Sequence, residues 1–419
     1  MAEECVPGTS GEPVVAAVVG AGAAGLSLAH WLARGGGPGT PAVALIEPAA
    51  ADGAGAPRTW CWWEPPGGPY DAVVHRSWEQ VRVYGRDGSR YDIALGCLRY
   101  KMLRSADLAA LVARDVADTP GLRRITGAVT AIRDGRGAAE LDVDTPRGAL
   151  RLHADWVFDS RPSRLLPDAR TTLFQHFRGW FVRSEAPAFD PSAAVLMDFR
   201  VPQPQRGAAF GYLLPLSEHE ALVEYTGFSR APLTGRQYDA ALTHYTGQVL
   251  GLGTPHTGFE VTGTEQGVIP MTDARFERRV GERVFRIGTS GGATRPSTGY
   301  TFATIQRQSR AVADALLAGR EPLPPRPHRA RHLAMDAALL RALDTGRVGG
   351  AAFFEQLFGR NPAGRLLRFL DGCSSLREEI AVGLLSPVLP MALSCLELPL
   401  RRRRPVGGRD PDRGAAPRR

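Results

Sequence analysis

Residues 14 to 36, VVAAVVGAGAAGLSLAHWLARGG, constrain the chain more than any other stretch. Val14 to Val19 is a short β-branched and apolar run, the pattern of a buried strand. It leads directly into Gly20-Ala21-Gly22-Ala23-Ala24-Gly25 and then into a segment whose apolar spacing is helical and which ends in glycines. A second strand, AVALIEP, ends in Glu47. Strand, GxGxxG, helix, strand and acidic residue in this order describe a βαβ unit built for a dinucleotide. Gly20 makes the tight turn, Gly22 lets the backbone approach a pyrophosphate, Gly25 allows close packing, and the helix N-terminus supplies partial positive charge. Glu47 would accept hydrogen bonds from the adenosine ribose. The competing reading is a plain glycine-rich turn.

At 419 residues with 43% hydrophobic side chains, the chain is expected to form two or three globular lobes. Cys5, Cys61, Cys97, Cys373 and Cys395 form no CxxC pair, and their odd number and wide spacing argue for a reducing cytoplasm over a disulfide framework. The N-terminus carries two glutamates and no basic region, unlike a signal peptide. The net charge is +8, but eight Arg and two Asp between 401 and 419 supply +6 of it. That segment is rich in Pro and Gly and reads as a disordered basic tail, so nucleic acid is not an expected partner. The nine histidines show no metal-binding spacing, and no metal is expected.

Further along, LRRITGAVTAIRDGRGAAELDVDTPRGALRLHADWVFDSRP reads as turn-rich alternating strands, its last piece, Trp156 to Phe158 then Asp159, rejoining the nucleotide sheet. Residues 171 to 228 hold alternating and aromatic runs that suggest an antiparallel sheet flooring a substrate cavity. From 283, RVFRIGTSGGATRPSTGYTFATIQRQ repeats strand, glycine-rich turn and helix, so a second helix N-terminus points at the same ligand. The expected division is a first part of the nucleotide domain at 1–165, the antiparallel-sheet substrate domain at 166–275, the second part of the nucleotide domain at 276–330, helices at 331–400, and the tail.

The N-terminal GxGxxG together with the late strand-Gly-helix element resembles FAD enzymes of the p-hydroxybenzoate hydroxylase fold, an α/β Rossmann-like architecture. RTWCWW, VFDSRP, LFQHFRGWFV, LMDFR, LVEYT, GVIPM and RIGTSGGATRPSTGY, in that order, are similar to the sequence blocks of bacterial lycopene cyclases over roughly three quarters of the chain. The resemblance implies bound FAD that is active in its reduced form, NAD(P)H as its reductant, and lycopene as substrate. It implies an isomerisation in which an acid protonates C2, the C1 cation is attacked by the C5=C6 bond, and loss of the C6 proton leaves a β-ionone ring.

Glu224 lies in EALVEYTGF, where Leu222, Glu224, Thr226 and Phe228 share one strand face and Val223, Tyr225 and Gly227 the other. Related plant cyclases read FLEET at this segment, which maps their first Glu to Glu224 and leaves Tyr225 in place of the second. The resemblance implies that Glu224 is the catalytic acid, and chemistry agrees: protonating an alkene needs a neutral carboxylic acid in a dry pocket. A pKa rise of roughly 3 units, about 4 kcal/mol, is within reach of desolvation. A structural, hydrogen-bonded Glu or an exposed edge Glu are the other readings.

Trp60, Trp62 and Trp63 offer faces to a carbocation, against simple packing beside a cofactor. Gly288-Thr289 stands where many enzymes of this fold carry Gly-Asp at the ribityl chain, and Gly291 and Gly292 continue the turn. Pro296-Ser297-Thr298-Gly299-Tyr300 resembles the flavin-side loop. Arg104, ahead of Ser105 as a plausible N-cap, resembles a pyrophosphate-contacting Arg, against a solvated surface Arg. Asp159, Asp198 and His176 complete the candidates; for Asp198 and His176 a hydrogen-bonded core role is the stronger reading. Residues 381 to 400 contain Pro387, Pro390, Pro399 and Glu397, which disfavour a spanning helix. They suit an interfacial element, with Arg401 to Arg404 adding about 1 kcal/mol each against an anionic leaflet; an ordinary buried element competes with it. The expected location is the cytoplasmic face of a membrane. A flavin monooxygenase or isoprenoid reductase of the same fold, and a non-catalytic prenyl-lipid carrier, are the alternative functions.

Overall fold

The computed structural model describes residues 9–37, 39–49, 58–163, 165–255 and 257–406. β1 (Val14–Val19), α1 (Ala23–Gly35) and β2 (Val43–Glu47) form as the apolar pattern dictates, with Ala16, Ala17 and Val18 fully buried between layers. β1 pairs in parallel with β2 on one side. On the other it pairs with the end of β3 (Gly148–Asp159), which also takes β4 (Val284–Arg286) in parallel. The strand that closes the first segment and the strand that opens the second therefore meet beside the GxGxxG turn, and the late helix α2 (Phe302–Leu317) packs along α1.

The second sheet runs in the order β5 (Glu260–Thr272), β6 (Thr172–Arg183), β7 (Glu220–Ser229), β8 (Ala208–Pro215), β9 (Ala193–Asp198), then Gln80–Tyr84 and Arg90–Ala94. Its last two strands come from the first chain segment, so the substrate sheet crosses the expected boundary at 165. Val81 and Val83, buried on the sheet, explain the recruitment. One face of this sheet, with Leu222, Phe228, Phe210 and Met271, packs on helices Ala330–Thr345 and Gly350–Arg360 through Leu340, Leu343, Phe353 and Phe354. The other face, with Trp180, Val223 and Leu213, packs on Leu242 and Tyr245.

Between the two sheets lies a small one in which β10 (Thr59–Glu64) pairs with β11 (Arg99–Arg104). Lys101, the single lysine of the chain, is 2% exposed there. Its ammonium bonds to Glu64 at 3.1 Å, to the Pro65 carbonyl at 3.0 Å and to Asp71.

Leu376–Leu384 and Val388–Leu400 form a bent apolar pair at 115°, and no single helix among the described residues is long and apolar enough to cross a membrane. Leu384, Leu389 and Leu396 are 70%, 70% and 72% exposed, so the pair is an outward ledge and not a buried C-terminal element. The basic tail is not free from its first residue. Arg401 pairs with Glu397 at 3.2 Å, Arg403 with Asp273 at 3.7 Å, and Arg404 bridges by backbone to Ala169. Residues 407–419 lie outside the described residues, as does Cys5; the four cysteines within them are unpaired.

Candidate functional site

The two glycine-rich turns meet. Gly20 has φ +97°, and a Cβ there would come within 2.6 Å of Ser160 Oγ, while one at Gly25 would overlap the Gly20 carbonyl. A Cβ at Gly22 would meet nothing within 4 Å, so the turn leaves open room at the position where a phosphate would approach. Gly22 caps α1 with no side-chain acceptor, and the first turn holds no acidic residue, which leaves its amides and positive end to an anion. Ala24 meets the second turn: a Cβ at Gly288, φ +66°, would lie 2.9 Å from its own. Thr289 is exposed beside Gly288, while Gly291 and Gly292 are buried.

Several candidate side chains are committed elsewhere. Glu47 ends β2 as expected but is ion-paired with Arg124 through a 2.8 Å bond from Nε. Asp159 ends β3 and is clasped by Arg161. Ser297 gives its hydroxyl to Asp336 at 2.7 Å, in a buried group with Arg295, so that side chain serves the core. Pro296 is buried, Thr298 accepts from the Tyr300 amide at 3.3 Å, and Gly299 has φ +70° where the loop presses on Gln175 of β6.

The substrate sheet carries a row of four residues opposite one another: Tyr212, Glu224, Gly179 and Glu265. Residues in register on neighbouring strands share a face. With glycine in the middle, β6 places no side chain between the two glutamates, and Leu222 Cδ1 is the atom nearest to where one would stand. A Cβ at Gly179 would sit 3.5 Å from Glu224 Cβ and 3.5 Å from Glu265 Cγ. Glu224 is 7% exposed and Glu265 6%. Glu224 accepts one bond, from Thr226 Oγ1 at 2.6 Å. Burial first and the neighbouring Glu265 second push its carboxyl up to about 8. Glu265 accepts from Thr59 Oγ1 at 2.7 Å; burial raises it to about 7, and the Arg104 guanidinium opposes the rise.

Opposite this row stands β10, with Thr59, Cys61 and Trp63 facing it. Tyr100 and Tyr212 share a 2.8 Å hydroxyl bond, and burial holds Cys61 up at about 12 and raises both tyrosines and Tyr300. Trp63 meets Tyr300 edge-on at 5.1 Å and Tyr100 at 6.2 Å. Trp60 and Trp62 point the other way and pack on Phe302, 5.8 and 4.6 Å between centroids. The tryptophan block thus divides by the strand period: Trp63 belongs to the site, while Trp60 and Trp62 belong to the nucleotide-domain core.

Arg104 lies over Phe181 at 5.3 Å and within electrostatic reach of Glu265, so its described contacts are with the substrate sheet and not with the Gly20–Gly25 turn. Asp198, a candidate site residue whose stronger reading is a hydrogen-bonded core role, is on the far face. It is fully buried and holds Arg200 and the Tyr245 hydroxyl, because its register partner Gly211 belongs to the Tyr225 side of the sheet. His176 is on that far face too, bonded to Tyr238 at 2.8 Å and Ser229 at 2.9 Å and lowered to about 4 by burial. Among the described residues no group of three or more His, Cys, Asp or Glu is placed to hold a metal.

Two clefts flank the turns, one at Ala24, Ile287 and Gly288, the other at Arg295, Tyr300 and Thr301, and neither is lined by Glu224 or Glu265.

The family described as lycopene cyclase protein matches residues 16–396. The chain belongs to the lycopene cyclase family. No curated protein matches this family member. Similar solved structures include a geranylgeranyl bacteriochlorophyll reductase-like protein of Thermoplasma acidophilum, with 12% identity over 92% of this chain and 99% of that one, at TM-score 0.57. A p-nitrophenol 4-monooxygenase of Pseudomonas putida is 16% identical over 92% and 97%, at 0.59. A flavoprotein/dehydrogenase of Cytophaga hutchinsonii is 13% identical over 92% and 98%, at 0.59. This family member therefore has the p-hydroxybenzoate hydroxylase-type fold, α/β with a second, antiparallel sheet and C-terminal helices.

Proposed function

We propose that this member of the family is a lycopene β-cyclase, closing the acyclic ends of lycopene to β-ionone rings without net redox change, and that Glu224 is its acid. The observation that carries the reading is a carboxyl group buried on an apolar sheet face and held neutral at physiological pH by burial and a second carboxylate. A neutral acid can give its proton to C2 of a terminal double bond. The tertiary cation at C1 is attacked by the C5=C6 bond, and loss of the C6 proton completes the ring. Water would quench such a cation, and the closed surroundings of the carboxyl pair exclude it. Trp63 and Tyr300, in contact opposite the sheet, offer aromatic faces, each worth roughly 0.5 to 2 kcal/mol to a desolvated cation.

The residues of the two turns fit FAD. Gly22 and the amides of α1 would hold its diphosphate, Glu47 its ribose through the carboxylate oxygen that Arg124 leaves unbonded, and the Gly288–Gly292 turn with the Pro296–Tyr300 loop its flavin end. Bound in reduced form, with NAD(P)H as reductant, it supplies an electron-rich ring system. Admission of a C40 chain requires the Tyr300 loop and β10 to part from the sheet. The exposed leucines of the bent ledge suit peripheral docking on the cytoplasmic face of a membrane, where such a substrate dissolves. With Arg401 and Arg403 committed to Glu397 and Asp273, the ledge docks chiefly through its apolar side chains.

The test is to supply lycopene to membranes containing the protein and to chromatograph the pigments. Monocyclic and bicyclic β-carotenes are expected from the wild type. Glu224→Gln is expected to retain flavin and to lose cyclisation; normal product from that variant would remove Glu224 from the chemistry. A cyclase needs NAD(P)H only to reduce its flavin once, whereas consumption in step with product would point to a monooxygenase or reductase.

A further inference from the structure

We propose that Glu265 is the base that takes the C6 proton, and that Glu224 and Glu265 work as a pair trading a single proton across Gly179. The inference rests on the cyclase reading and goes beyond it by naming the group that ends the reaction.

Three features of the geometry carry it. The first is placement: Glu224 and Glu265 are both opposite Gly179, on strands either side of it, and glycine puts no β6 side chain between them. The second is the asymmetry of their surroundings. Glu224 receives one hydroxyl bond, from Thr226, whereas Glu265 receives the Thr59 hydroxyl and faces Arg104, whose Nε has no hydrogen-bond partner. Arg104 is itself fixed over Phe181, two residues along β6 from Gly179. Among the described residues a cation stands beside one carboxyl and none beside the other, which assigns the charge to Glu265 and the proton to Glu224. The third is what else faces the pair. Cys61, Tyr100, Tyr212 and Tyr300 are all held neutral by burial, so Arg104 is the charge compensating the pair.

The proton balance closes. Glu224 breaks its O–H bond as the C2–H bond forms. The C6–H bond then breaks, its electron pair becomes the ring double bond, and the proton goes to the Glu265 carboxylate. Transfer from Glu265 back to Glu224 restores the starting state with no oxidant or reductant consumed. The position of the base also fixes the product, because loss of a C4 proton from the same cation would give an ε ring and loss from the C5 methyl an exocyclic double bond.

The experiment compares wild type, Glu265→Gln and Glu265→Asp, each with flavin bound, in liposomes containing lycopene, scoring rate, pH profile and ring type. Glu265→Gln is expected to lower kcat by about 100-fold or more at little-changed KM, in line with loss of a general base. Its residual product is expected to contain ε or exocyclic rings, and its alkaline limb to move to lower pH because the like charge beside Glu224 is gone. If Glu265→Gln does not take up flavin, Glu265→Asp decides: the shortened carboxylate is expected to give mixed ring types at reduced rate. Pure β rings at the wild-type rate from either flavin-loaded variant would overturn the inference. A wild type that makes no ring at all would instead overturn the cyclase reading.

Discussion

Glu224 and Glu265 approach each other over Gly179, the one residue in their row that contributes no side chain. The sheet thus brings into one row two carboxyls that are 41 residues apart in sequence, with no β6 side chain between them.

Placing a side chain there is the most direct test of the arrangement. In Gly179→Ala the new Cβ would lie 2.8 Å from Leu222 Cδ1 and 3.5 Å from both glutamates. A stability loss of about 1 to 3 kcal/mol is expected from crowding. Cyclisation should fall further than the folded fraction does, as assayed on flavin-loaded protein.

Glu224 makes stability pH-dependent in a defined direction. Below the ordinary carboxyl range, folded and unfolded chains are both protonated. As pH rises toward 8 the unfolded chain ionises while the buried group keeps its proton, so stability falls, and the decline levels off above 8. At about 1.4 kcal/mol per unit the fall should be at most about 5 kcal/mol. Thermal melts of Glu224→Gln are expected to lose most of this slope between pH 5 and 8, and wild-type turnover to decline above pH 8.

The two conserving glycines of the first turn should separate folding from cofactor binding. In Gly22→Ala the new Cβ meets no described protein atom within 4 Å, so its apoprotein should melt like wild type yet purify with reduced flavin absorbance. Gly25→Val, whose Cβ would overlap the Gly20 carbonyl, should fail to fold in soluble form.

The tryptophans should divide likewise. Trp63→Leu, at the Tyr300 contact, is expected to slow cyclisation several-fold with flavin content unchanged. Trp62→Leu, 5% exposed against Phe302, should cost about 2 to 4 kcal/mol of stability and leave turnover per flavin intact.

The ledge predicts a fourth separation. Leu389→Glu with Leu396→Glu should reduce sedimentation with liposomes while preserving the melting temperature, since both side chains point outward.

The nucleotide turn was legible because it is local: strand, Gly20–Gly25 and helix are contiguous, and each glycine has its own steric reason. Glu224 was legible as a carboxyl on an apolar strand face. Glu265 was not, since alternation reveals which residues share a face but not which strand lies beside which. It sits just ahead of GVIPM, grouped by period with Gly263, Gly267, Ile269 and Met271, and only the register with Gly179 gives it meaning. Asp198 takes the hydrogen-bonded core role that was its stronger reading, on a face set by its pairing with Gly211. The division of Trp60, Trp62 and Trp63, by contrast, could have been read from period two alone.

Lys101 gives the chain an unusual chemical simplicity. Because its ammonium is enclosed by Glu64, Asp71 and Pro65, no ε-amine is offered to solvent by the native fold. An amine-selective reagent will therefore mark Lys101 only in molecules whose middle sheet has come apart, and the extent of labelling at that residue becomes a gauge of how often the sheet opens.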